Sequence, residues 1–71
     1  MEQIKAPMGE EIELRQVMHE SGVPLLRVLV RDGGRYTYLD LDPATANRWG
    51  RLMQVWARET VERMEAAQRE E

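Results

Sequence analysis

LLRVLVRDGGRYTYLDLDPATANRWGRLMQVW, residues 25–56, decides how this chain folds. Leu26, Val28 and Val30 alternate with Arg27, Leu29 and Arg31, the two-residue period of a half-buried strand. Asp32-Gly33-Gly34 then supplies residues that accept positive φ, which a tight turn matching strand twist requires, so the following segment returns antiparallel. With Gly33-Gly34 as the turn, Leu26 faces Leu41, Arg27 faces Asp40, Val28 faces Leu39, Leu29 faces Tyr38 and Arg31 faces Tyr36. A turn at Asp32-Gly33 shifts the partners but leaves each side chain on the same face, whereas a three-residue loop mixes charged and apolar positions.

Beyond the hairpin, Asp42 is placed as an N-cap and Pro43 has the φ of a first helical residue. Ala46, Trp49, Leu52, Met53, Trp56, Thr60, Met64 and Ala67 recur at three- and four-residue steps, one stripe that can lie on the aliphatic face of a sheet. Gly50 interrupts this pattern at a cost of about 0.5–1 kcal/mol relative to alanine, which predicts close approach to a strand or another helix. Past Arg58 the stripe thins, and Glu59 with Arg63 and Glu65 with Arg69 are spaced as ion pairs of a solvated helix. A helix from Pro43 to Ala67 is about 37 Å long, against about 23 Å for a seven-residue strand. Its last turns overhang the sheet.

Upstream, Glu11 to Met18 also alternates, and Ser21-Gly22 breaks the pattern before Pro24. A loop of Ser21-Gly22-Val23 sets Met18 against Leu26, Leu14 against Val30 and Glu13 against Arg31. A two-residue turn would put Arg15 beside Val28 instead, so the longer loop or a bulge is expected. Residues 1–9 hold Pro7 and Gly9 along with an Ile4, Ala6, Met8 alternation, and read as a flexible arm or a short edge strand, the arm being favoured. The predicted fold is α+β: a three-stranded antiparallel meander, β-β-β-α, with one long C-terminal helix packed on one face. Residues 10–71 form this single domain, and about 60–71 is an overhanging or frayed helix end. Its aliphatic face is Ile12, Leu14, Met18, Leu26, Val28, Val30, Leu39 and Leu41.

Seventy-one residues make a small core, which favours dimerisation. Charged residues at 32% and apolar residues at 42% fit an ordinary folded domain. No apolar run nears the ~20 residues of a membrane span, the start lacks a secretory pattern, and a cytoplasmic address without membrane association is expected. Zero cysteines exclude disulfides and thiolate chemistry. A net charge of −3 disfavours nucleic acid and anionic lipid.

Few residues suggest chemistry. His19 and Ser21, the sole histidine and serine, sit at a hairpin end with Glu20 between them, and adjacent turn residues seldom converge on one substrate atom. Asp40 and Asp42 read as a partner of Arg27 and a helix cap. No catalytic, cofactor-binding or metal-ligating residue is assigned, and the protein is read as non-catalytic.

Two surfaces remain. The outer sheet face carries Arg15, Val17, His19, Arg27, Leu29, Arg31, Tyr36 and Tyr38, of which Arg15, Arg27, Leu29, Arg31, Tyr36 and Tyr38 form the candidate interaction face. Rings interleaved with guanidinium groups suit stacked bases and phosphates, yet residues 1–42 hold five basic and eight acidic side chains. Cross-strand Arg–Tyr and Arg–Asp pairing explains the same pattern. The tryptophan stripe reads chiefly as core, and its distal part, Trp56, Thr60, Met64 and Ala67, as candidate dimer contacts. In element order the meander followed by one helix resembles a shortened version of the single-stranded-DNA-binding transcriptional regulators of the Whirly and Pur type. No residue motif of theirs aligns here; the resemblance implies an open sheet face that binds single strands. The expected function is that of an accessory or assembly protein that forms a homodimer and binds a protein partner, with single-stranded nucleic-acid binding as the alternative.

Overall fold

The computed structural model describes residues 2–69 as a four-stranded antiparallel sheet followed by one helix. The strands are β1 (Glu2–Lys5), β2 (Glu11–Met18), β3 (Pro24–Asp32) and β4 (Arg35–Leu41), in spatial order 1-2-3-4, and α1 spans Pro43–Arg69. The meander therefore has four strands rather than three. Residues 2–5 are an edge strand and not an arm, with Ile4 opposite Ile12 and Lys5 opposite Glu11; residue 1 of the expected arm lies outside the described residues.

The first two hairpins are built by the same turn. Ala6 N–H donates to the Glu10 carbonyl at 2.8 Å and Gly9 N–H to the Ala6 carbonyl at 3.1 Å. His19 N–H donates to the Val23 carbonyl and Gly22 N–H to the His19 carbonyl, both at 2.9 Å. Each is a three-residue loop, Pro7-Met8-Gly9 and Glu20-Ser21-Gly22, closed by a glycine at φ 95° or 90°. A left-handed residue belongs at the end of such a loop, where it turns the chain back into the ladder. Gly22 therefore ends the loop instead of standing in its middle. The register moves by two from the expected one, with Met18 opposite Pro24, Leu14 opposite Val28 and Glu11, not Glu13, opposite Arg31. An even shift leaves every side chain on its expected face.

The third hairpin follows the predicted register: Leu26 faces Leu41, Val28 faces Leu39 and Arg31 faces Tyr36. Gly33 alone in this turn takes positive φ, 61°, as at the first central position of a type II′ turn. The Thr45 N–H donates to Asp42 Oδ1 at 3.1 Å, so Asp42 caps the helix that Pro43 begins. Hydrogen bonds from Thr45, through its side chain first and its backbone second, hold the Asp42 carboxyl below the usual carboxylate range.

Packing departs most from expectation. Among the described residues, Leu41 is the only buried hydrophobic, at 7% exposure. Leu26 and Val28 are half-buried, while Leu39, expected beneath the helix, and Met18 are exposed. The backbone of α1 approaches only β3 and β4. Its 27 residues span about 40 Å, and the molecule measures 55 Å in its longest dimension. The radius of gyration, 16.0 Å, compares with about 11 Å for a compact chain of this length. The tryptophans expected in the core stay uncovered, Trp49 by 39% and Trp56 by 66%. Gly50 meets no close neighbour within the chain, and a Cβ there would have nothing within 4 Å.

Candidate interaction surfaces

The pleat separates two surfaces of opposite character. On the outer face, Arg27 forms two hydrogen bonds to Asp40, Nε to Oδ1 at 2.8 Å and Nη2 to Oδ2 at 3.0 Å, and its guanidinium lies 4.4 Å from the Tyr38 ring centroid. Arg31 stacks at 4.8 Å over Tyr36 and approaches the Glu11 carboxylate at 3.9 Å. Arg15, opposite the like-charged Arg27, turns to Glu13, which also accepts a 3.3 Å bond from Gln3 Nε2. Each guanidinium of the candidate face thus already has a carboxylate partner.

These contacts favour the charged carboxylates. The Arg27 hydrogen bond draws the Asp40 carboxyl below its ordinary range, and the Gln3 amide, followed by Arg15, does the same for Glu13. Leu29 lies between Glu13 and Tyr38 in the ladder and is half-buried. Tyr36 and Tyr38 keep about three-fifths of their surface in solvent, 62% and 60%. The face offers a depression of about 50 Å³ beside Arg31 and Tyr36. It is a solvated, internally paired layer with exposed rings.

The inner face presents a continuous apolar surface. Ile4, Ile12 and Leu14 on β1 and β2 form one wall of a cleft of about 420 Å³, and Trp49, Gly50 and Met53 on α1 form the other. Further along the helix, Leu52, Met53 and Trp56 are 58%, 57% and 66% exposed on one continuous strip. Of the four candidate dimer contacts, Trp56 joins this strip, Thr60 is half-buried, and Met64 and Ala67 are exposed beyond it. Of the end expected to overhang or fray, about 60–71, residues 60–69 are helical and residues 70 and 71 lie outside the described residues. Periodicity marked the inner face for burial; the missing cover was not encoded in any one residue.

His19 and Ser21 do come together. The Ser21 hydroxyl is 2.8 Å from His19 Nδ1, which also accepts the Ser21 backbone N–H at 3.1 Å. His19 Nδ1 thus helps to close the exposed Glu20-Ser21-Gly22 loop. Among the described residues there is no cluster of three or more side chains able to hold a metal ion, and no helix long and apolar enough to cross a membrane.

Residues 1–59 match the model of DUF6967, a family of unknown function. That span takes in the whole sheet, the cleft and the helix through Trp56, and leaves Met64 and Ala67 outside it. No curated protein and no solved structure matches the chain.

Proposed function

The chain belongs to the DUF6967 family, and we propose that it is a non-catalytic accessory protein whose task is assembly, self-associating through the inner layer and meeting a protein partner. The observation that carries this reading is the open apolar layer, a four-stranded sheet whose inner residues leave Leu41 alone buried among the described residues. A folded monomer of 8.3 kDa exposes about 4,600 Å². This chain exposes 6448 Å². The apolar part of that excess costs free energy in water at about 25 cal/mol per Å², and association removes that cost. The exposed tyrosines of the outer face offer a second, more polar surface on which a different protein can dock once the inner layer is closed.

Single-stranded nucleic-acid binding on the outer face is the competing reading. Its support is the pair of Arg–Tyr stacks. Against it stand Asp40, Glu11 and Glu13, which hold the arginines that phosphates would need.

Light scattering combined with urea unfolding across a concentration series tests the proposal. The expected result is a mass above 8.3 kDa and an unfolding midpoint that rises with protein concentration, as it does when folding is linked to association. A strictly monomeric species that unfolds cooperatively at a concentration-independent midpoint overturns it.

A further inference from the structure

We propose that the cleft between α1 and the β1–β2 half of the sheet is filled by the helix of a second copy of this chain, whose Trp56 seats against Ile4 and Ile12. This rests on the assembly reading above and names its partner. Adjacent strands lie about 4.8 Å apart, and packed helices need 8–10 Å between axes, so one helix covers about two strands. The sheet has four, and α1 sits against β3 and β4. One more helix is missing over β1 and β2, where Ile4, Ile12 and Leu14 line the cleft.

The chain carries what it lacks. The strip of Leu52, Met53 and Trp56 stays more than half exposed on its own chain, and a two-fold axis lets each copy supply its strip to the other's cleft, the self-complementary arrangement of a closed dimer. The surface in excess of a compact monomer is about 1,800 Å² per chain. Two copies hiding that amount reach about 3,600 Å² in total, inside the 2,000–5,000 Å² range of obligate homodimers. Around the strip α1 carries Arg48, Arg51 and Arg58, and beyond it Glu59 and Glu62. The family match ends at residue 59, so cleft and strip both lie in the shared unit, whereas Met64 and Ala67 do not. The interface therefore centres on residues 49–57 of the helix.

The test uses the unmodified chain. Isotope-labelled and unlabelled copies are mixed, and filtered nuclear Overhauser spectra are recorded for contacts between copies. Contacts from the Trp56 indole of one copy to the Ile4 and Ile12 methyls of the other are expected. A second measurement exploits the absence of cysteine: Ile4→Cys and Ala57→Cys chains, mixed and oxidised, should form a mixed disulfide faster than Tyr38→Cys with Ala57→Cys. An associated species with neither the Overhauser contacts nor the preferential disulfide overturns the second-helix arrangement and leaves the assembly reading standing. A stable folded monomer overturns both.

Discussion

Trp56→Ala separates a free surface from a shared one. In the isolated chain Trp56 is 66% exposed, and a substitution at such a site changes stability by no more than about 0.5 kcal/mol. In the proposed dimer the same side chain is covered. A tryptophan presents about 150–250 Å², so roughly 100–160 Å² is removed from water there, worth about 2.5–4 kcal/mol at 25 cal/mol per Å². A symmetric dimer contains the site twice, and the loss becomes about 5–8 kcal/mol, a weakening of association by about four-thousand-fold or more. Tyr38→Ala is the control, because Tyr38 is 60% exposed but stands on the outer face; truncating it should leave association unchanged. Sedimentation equilibrium over a dilution series measures both. A Trp56→Ala chain that keeps its secondary structure and the dissociation constant of the parent refutes the reasoning, as does an equal weakening by Tyr38→Ala.

Two further outcomes follow from local geometry. Gly50→Ala should stabilise the helix by about 0.5–1 kcal/mol, since the added Cβ meets nothing within 4 Å of its own chain; a lower thermal midpoint or weaker association would instead place the backbone of the second helix against Gly50. Stability should fall in acid: the Asp40, Asp42 and Glu13 carboxyls are held below their ordinary values in the folded state, so the unfolded chain takes up protons more readily, and their contribution, complete above about pH 5, is lost as pH drops through and below about 4. Thermal midpoints from pH 7 to 2 check this, with Asp40→Asn expected to flatten the fall; a decline that sets in near pH 6 contradicts it.

Local signals were legible where a single residue type determines geometry. Gly33-Gly34 gave the β3–β4 register, and Asp42-Pro43 gave the start of the helix. Alternation assigned the faces of β2, β3 and β4 correctly, and these assignments survived the register error in the β2–β3 hairpin because a shift of two preserves the pleat. The edge strand was obscured because Pro7 and Gly9 read as breakers, although they are the first and last residues of a loop built like Glu20-Ser21-Gly22. On the outer face, the Arg27–Asp40 partnership was readable from cross-strand position, while that of Arg31 moved from Glu13 to Glu11 with the register. Least legible was closure of the core. Periodicity identifies side chains that favour burial, but the width of a sheet relative to the helices that cover it belongs to the assembled layers, and no residue pattern states it.

The strand order 1-2-3-4 has a kinetic consequence. Every strand pairs with its neighbour in sequence, so the sheet has no long crossover to close and its contacts are local, the condition for rapid folding. Hairpins of this kind form in about 1–10 μs, whereas two chains at cellular dilution meet far more slowly. The newly made chain therefore completes its ladder while the apolar layer is still bare. Under the proposed assembly, productive encounter competes with aggregation in that interval, and the rate at which the chain is synthesised, more than its intrinsic folding speed, would govern how much of it reaches the assembled state.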